Sequence, residues 1–445
     1  MIKRLFIANR GEIALRIIRT AQRLGMTTIL GASSADADSL PATIADEVAI
    51  LGPVSSAASY LSVDAVITAA KSVNADAIHP GYGFLSENAA FARAATAAGI
   101  IFVGPTGDSL DAMGDKLMAR TVGLAAGLPV VPGGEAADPA AALARATETG
   151  FPVLLKAVSG GGGKGMKRVD RPEDLPAMID MAMAEALAAF GDPRIYVERF
   201  IARGRHVEVQ VLGDGSSAIH LGTRDCSIQR RFQKLVEEAP APALPDAARA
   251  AIETAAVTLT RHLNCRGAGT VEFLVDAETF AFYFLEMNAR IQVEHPVTEA
   301  ITGVDLIEQQ LLIADGLPLA LTQDMVRPTG HAIEVRINAE DPVLDFRPSP
   351  GTITRAAWPA GPGIRVDTHI ANGSNVPPYY DSLIGKLIVT AATRNETIDR
   401  LQAALNALTI EGVTTTTGLH RRIVGDPRFR AGGVDTGFFE GMADG

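Results

Sequence analysis

Glu286-Met287-Asn288-Ala289-Arg290-Ile291-Gln292-Val293-Glu294 alternates polar and apolar residues without a break. In an extended chain successive side chains point to opposite faces. Read as a strand, the stretch lays Glu286, Asn288, Arg290, Gln292 and Glu294 on one face and turns Met287, Ala289, Ile291 and Val293 to a core. A surface strand with its charges in water gives the same alternation. Two carboxylates, two amides and a guanidinium, however, are suited to metal and anion contacts.

Upstream, Val271–Val275 and Phe282–Asn288 flank Asp276-Ala277-Glu278-Thr279, a hairpin signal. Folding the hairpin back brings Glu272 near Glu286 and Asn288. Two carboxylates and an amide oxygen are hard ligands, fit for Mg²⁺ or Mn²⁺ shared with phosphate oxygens. Paired surface charges are the plain alternative, but like charges opposed across strands destabilise unless a cation neutralises them.

Further upstream lies Lys156-Ala157-Val158-Ser159-Gly160-Gly161-Gly162-Gly163-Lys164-Gly165-Met166. Glycines lack Cβ, so their N–H groups can approach and cradle a phosphate. It is not a Walker A loop, since Gly165 and not Ser/Thr follows Lys164. Strands on either side make it the cap of a hairpin, placed to close as a lid; a flexible linker would instead mix Gly and Ser and lack the strand lysine. Arg224–Lys234 gathers cations in an acidic protein and suits a small anionic substrate, or else is a solvated basic loop. In His331–Glu340, period-two alternation puts Glu334, Arg336 and Asn338 on one face. There Arg336 can hold a planar polar group bidentately or serve a structural salt bridge.

The 445 residues exceed one core, and two or three domains are expected. A 47% apolar, 20% charged composition is globular, and a net charge of −11 disfavours nucleic acid and anionic membranes. Cys226 and Cys265 make no disulfide framework, which fits a reducing cytoplasm, and neither is a credible nucleophile. No signal peptide is evident, and no apolar run reaches the ~18 residues of a membrane helix. His220, His262, His369 and His420 read as surface or packed residues. Residues 1–105 alternate strand and helix (Leu5–Ala8, Ile13–Leu24, Thr27–Gly31, Ala77-Ile78, Ile100–Gly104), which implies a mostly parallel α/β sheet, without a Gly-x-Gly-x-x-Gly dinucleotide loop. Residues 106–127 read as a helical linker, 128–202 as a small α+β unit around the glycine loop, and 203–445 as the largest unit, antiparallel in its early part.

Together these motifs resemble the biotin carboxylase family of ATP-grasp enzymes. The likeness extends through Ile7–Ala14, His79–Asn88, Met113–Lys116, the 156–166 loop, Arg224–Ser227, Glu286–Pro296, Arg336–Pro342 and Val376–Lys386, and covers essentially the whole chain. It implies an ATP-grasp fold of mixed α/β and α+β class. A Rossmann-like N-terminal domain, a mobile lid and a C-terminal biotin carboxylase domain would compose it.

It further implies ATP contacts at Lys116, Lys156, Gly162, Gly163, Met166, Glu198, Arg199, Phe200, Ile201, His206, Gln229, Glu272, Leu274 and Glu286, and two Mg²⁺ or Mn²⁺ ions on Glu272, Glu286 and Asn288. Lys234, Arg290, Gln292, Val293 and Glu294 would form the bicarbonate pocket, and Tyr82, Gly83 and Arg336 the biotin site. The implied catalytic set is Glu294 as base, the cations Arg290 and Lys234, and Arg336 opposite the biotin enolate. The reaction is carboxylation of biotin with bicarbonate and ATP, through carboxyphosphate. No Ala-Met-Lys-Met attachment motif occurs in the sequence. Biotin is therefore expected on a separate biotin carboxyl carrier protein, alongside carboxyltransferase subunits of an acetyl-CoA or other acyl-CoA carboxylase. A homodimer is also implied: Arg19 and Arg365 match interface residues, while Pro362 replaces a bulkier one. Another departure is Phe232, where relatives often carry a nucleotide-contacting His. Another bicarbonate-activating ATP-grasp ligase, or a catalytically weakened regulatory subunit, are the competing readings.

Overall fold

Leu5, Phe6 and Ile7 of strand Arg4–Ile7 are all fully buried, as a strand covered on both faces requires. It is the centre of a five-stranded parallel sheet in the order Glu47–Gly52, Thr27–Ser33, Arg4–Ile7, Ala77–His79, Ile101–Phe102. Helix Gly11–Arg23 follows the first strand and buries Ile13, Ile17 and Ile18, then stops before Gly25, whose φ of +77° suits glycine. This computed structural model describes the chain except residues 115, 159–165, 231–232 and 443–445, and the side chains at 116–117, 190 and 440–441.

Residues 106–127 form two helices, Gly107–Gly114 and Lys116–Ala125. A four-stranded antiparallel sheet comes next, ordered Gly133–Ala136, Ile195–Arg199, Val153–Ala157, Lys167–Val169. Helices Pro139–Thr149 and Leu175–Phe190 bury their apolar stripes (Ala142, Ala146, Ile179, Ala182) against it. Val153 pairs with Val169, so the glycine segment caps a hairpin as expected; residues 159–165 themselves lie outside the described residues.

The third sheet carries the candidate site. Eight antiparallel strands run in the order Phe282–Asn288, Arg266–Asp276, Gly204–Asp214, Ala218–Arg230, Gln233–Ala239, His331–Asn338, Leu383–Ala391, Ile364–Thr368. On one face Val207, Val209, Val271 and Phe273 pack against helix Asp246–His262, and Val335, Leu387 and Val389 pack against helix Arg394–Ala407. The alternate positions, His206, Glu208, Glu272, Glu334, Arg336 and Lys386, therefore share the opposite face.

One expectation is corrected here. Residues 286–294 are not one strand: the ladder ends at Asn288, and the chain turns into helix His295–Thr302 with Glu294 as its N-cap. Pro296, in the first turn, has no N–H for a ladder and a φ preset for a helix start. Ala289 and Ile291 still point inward, which is why the alternation looked strand-like.

Candidate functional site

Register builds the centre of the site. Glu208 stands opposite Glu272 on one side and Arg224 on the other, and Gln229 stands opposite Lys234. Lys234 Nζ lies 2.6 Å from Glu208 Oε2, 2.6 Å from Glu294 Oε1 and 3.2 Å from Glu272 Oε1. Burial alone would lower the Lys234 ammonium, but these three carboxylates outweigh it and hold it charged, well above the usual lysine range. Arg224 underlies this group. It is fully buried and donates to Glu208 (2.5 Å), Gln210 (2.6 Å), Gln292 (2.8 Å), Thr270 and Thr298 (both 3.0 Å). The basic cluster is thus not one anion-binding patch. Arg224 is a buried scaffold because it falls on the inward face of a central strand, where it braces Glu208, whereas Lys234 joins Glu208, Glu272 and Glu294.

Glu294 joins two cations. Its Oε2 accepts from Arg336 at 3.0 Å, while Arg336 Nε donates to Glu237 at 2.6 Å. Burial pushes the Glu294 carboxyl up, yet Lys234, Arg336 and Arg224 hold it well below the usual glutamate range, so it stands ionised. Burial also pushes Glu237 up, to about 7 despite Arg336. A salt bridge at Arg336, one of the two sequence readings, is present, and its partners lie inside the site.

The hairpin forms as read: Glu272 stands opposite Glu286, and Thr270 opposite Asn288. Glu272 Oε1 accepts from Gln292 (2.8 Å) and Asn288 (3.0 Å), and Glu272 Oε2 lies 2.8 Å from His206 Nε2. Against the burial penalty, Lys234 and His206 keep Glu272 well below its usual range. Two carboxylates opposed in register with a carboxamide beside them are hard oxygen donors. The donor set fits a divalent cation of the Mg²⁺ class. Arg290 donates to Asn288 Oδ1 at 2.7 Å and to Glu87 at 2.9 Å, which fixes it at the rim of this group.

In the four-stranded unit Lys156 pairs with Glu198, and Arg168 stacks over Phe200 at 4.4 Å. Glu198 and Arg199 end strand Ile195–Arg199, and Phe200 and Ile201 lead from it toward main-sheet strand Gly204–Asp214. Leu274 stands opposite His206 just beyond this connection, and Met166 is exposed at the end of the glycine segment. Gly162, Gly163, Phe232 and the Lys116 side chain lie outside the described residues.

The third flank comes from the N-terminal unit. Asn9 Nδ2 donates to the carbonyls of Pro80 and Tyr82, both at 2.7 Å, and pins the 79–84 turn. Gly81 has φ +62°, and a Cβ there would meet Asn9 at 2.8 Å. Tyr82 donates to Glu12, and Gly83 adopts φ +65°. Lys386 closes the circle, donating to the Val293 carbonyl at 2.7 Å and pairing with Glu12 at 3.2 Å.

Sequence reading passed over Glu208, Glu237 and Lys386. The signal for Glu208 was present, because His206-Val207-Glu208-Val209-Gln210-Val211 alternates like the strands that were noticed. Lys386 sits in a stretch quoted for resemblance without a role. Nothing local marks Glu237; it becomes visible only through its partner Arg336.

Comparison with known proteins agrees with this layout. Residues 1–110 match the family described as biotin carboxylase, N-terminal domain. Residues 115–322 match carbamoyl-phosphate synthase L chain, ATP binding domain, and 334–441 match biotin carboxylase C-terminal domain. The biotin carboxylase of Nostoc sp. is 50% identical over 442 residues, 99% of each chain, and that of Pseudomonas aeruginosa is 48% identical over 99% of this chain and 98% of its own. A Campylobacter jejuni biotin carboxylase solved as a β-γ-ATP complex superposes with a TM-score of 0.91, 45% identity and 99% coverage of both chains. The biotin carboxylase domain dimer of Hydrogenobacter thermophilus 2-oxoglutarate carboxylase, solved with MgADP, ADP and bicarbonate, gives 0.90 at 45% identity over 99% of this chain and 97% of that one.

Proposed function

Since this chain belongs to the biotin carboxylase family and is an ATP-dependent carboxylating enzyme of ATP-grasp fold, we propose how its residues divide the work. Glu294 takes the proton of bicarbonate. Lys234 and Arg290 hold the anion, with Gln292 and the Val293 backbone setting its orientation. The observation that carries this assignment is the position of Glu294, buried between Lys234 at 2.6 Å and Arg336 at 3.0 Å. A carboxylate held ionised by two cations is ready as a base, and the same cations stabilise the carbonate dianion formed as the proton leaves.

Glu272, Glu286 and Asn288 would hold the divalent cations, which supply charge neutralisation on the transferring phosphoryl group. Lys116 and Lys156 neutralise charge on the phosphates, and Gly162, Gly163 and Met166 contact the ATP. Glu198–Ile201, His206, Gln229 and Leu274 frame the rest of the nucleotide, and the 128–202 lid closes over it to exclude water. Arg336 offsets negative charge on the biotin ureido oxygen, and Tyr82 and Gly83 line the approach. Biotin arrives on a separate carrier protein that also serves carboxyltransferase subunits. The chain works as a cytoplasmic homodimer; no described helix is long and apolar enough to cross a membrane.

Isotopic bicarbonate supplied with MgATP and free biotin is expected to label carboxybiotin. Ammonia or an amino acid stimulating ATP turnover in place of biotin would overturn the reading. Glu294→Gln is expected to lower the labelling rate by about 10²-fold with KM for ATP unchanged, and an unaltered rate would remove Glu294 as the base.

A further inference from the structure

Two buried carboxyls beside Arg336 have no part in the chemistry above. Glu237 and Glu334 face each other in register on adjacent strands, and both are fully buried. Glu237 Oε1 accepts from Arg336 at 2.6 Å, but among the described residues Glu237 Oε2 and both oxygens of Glu334 have no hydrogen-bonding partner.

The charged groups around Glu334 come from every packed element. Glu237 faces it from strand Gln233–Ala239, Lys386 from strand Leu383–Ala391, Arg336 from its own strand, and Glu294 from the start of helix His295–Thr302. None of the cations is left for it. Lys386 is committed to the Val293 carbonyl and Glu12, and Arg336 to Glu237 and Glu294. A buried carboxylate without donors is prohibitively costly, and two carboxylates opposed across strands cannot both ionise. The proton settles on the member without a cation.

Building on the reading of Arg336 and Glu294 given above, we propose that Glu334 is a positioning residue: the neutral acid of the opposed pair, which leaves the pair's one negative charge on Glu237, against Arg336. Anchored this way, Arg336 keeps one fixed anion when Glu294 takes up a proton. Its guanidinium then stays aimed at the site while its second partner becomes neutral. Burial, reinforced by Glu237, also moves the Glu334 carboxyl far above the usual range, in the sense the geometry requires.

Infrared spectroscopy of the purified full chain reads a protonated carboxyl directly and needs no turnover. At about pH 8, above the Glu237 value, the wild-type-minus-Glu334→Gln difference spectrum is expected to show a carboxylic-acid carbonyl band that shifts in D₂O. Glu334→Asp keeps the band at a shifted frequency. A difference spectrum without such a band overturns the proposal. In kinetics, Glu334→Ala is expected to lower kcat about tenfold with KM for ATP unchanged. Glu334→Gln, which retains a neutral donor, restores most of that loss, and Gln performing no better than Ala would count equally against the idea. Should the wild type fail to fix bicarbonate while the band is present, the functional reading falls and the protonation of Glu334 stands.

Discussion

Glu294 and Glu237 touch the same arginine yet move in opposite directions. Lys234 and Arg336 hold Glu294 below its usual range, whereas Glu237 is buried hard enough to reach about 7. The two contribute to stability with opposite pH dependence. Glu294 and Glu272 stabilise the fold above about pH 4.3, the unfolded glutamate value, and lose that contribution as pH falls through their depressed folded values. Glu237 contributes fully below that unfolded value and loses its share as pH rises through about 7. The thermal midpoint of the ligand-free protein is expected to decline in acid and, through Glu237, to decline as pH rises from about 4.3 to about 7. Glu237→Gln should flatten that second decline while leaving the acid one; an unchanged slope between those values in a pH series of melting curves would exclude Glu237 as its source.

At the scale of elements, the hairpin of Arg266–Asp276 and Phe282–Asn288 decides which carboxylates meet. Its register places Glu286 opposite Glu272, and a one-residue slip would turn Glu286 into the core. The consequence is a specific kinetic phenotype. Glu286→Gln keeps the strand pairing and removes one of the two carboxylates proposed to hold the cation. It is expected to raise the Mg²⁺ concentration for half-maximal activity about tenfold, with KM for bicarbonate little changed. A magnesium titration of biotin-dependent ATP cleavage reads this, and an equal rise in the bicarbonate KM would argue for misfolding of the pocket instead. The turn after Asn288 matters as much. Pro296 starts the helix that carries Glu294 at its cap, so a loop and not a strand delivers Glu294 to Lys234.

Across the whole molecule, the site is a meeting of three units, and ion pairs hold the N-terminal one to the largest. Arg16 of the first helix reaches Glu299 at 2.9 Å and Asp305 at 2.8 Å, Arg365 reaches the same Glu299 at 2.7 Å, and Arg10 pairs with Asp36 while stacking over Tyr380 at 4.3 Å. These contacts tie the N-terminal sheet to the eight-stranded one. That sheet runs without interruption from Phe282–Asn288 to Ile364–Thr368, although two separate family matches, 115–322 and 334–441, fall on it. Arg16→Ala leaves Arg23 as the one arginine on Asp305 and Arg365 as the one on Glu299, and is expected to cost about 1–2 kcal/mol, seen as a lower urea midpoint. Arg16→Lys recovers only part, because an ammonium lacks the guanidinium fork that spans two carboxylates. A midpoint for Arg16→Ala equal to wild type would show that the junction does not depend on this residue.

Much of this was open to a linear reading, for a definite reason. Alternation and turn residues report local backbone geometry, so the first parallel sheet, the glycine hairpin and the Glu272/Glu286 pairing could be read from spacing alone, and the motifs together named the family. What spacing cannot carry is which side chains converge from distant strands. Arg224 looked like a ligand-facing cation and is an interior brace; Lys234 looked like its neighbour in a basic patch and instead sits among carboxylates from three other segments. Glu237 and Lys386 gain meaning only from Arg336 and Glu12, 99 and 374 residues away along the chain. Charge and protonation depend on distance and burial in three dimensions, and those are fixed only when the sheets have packed.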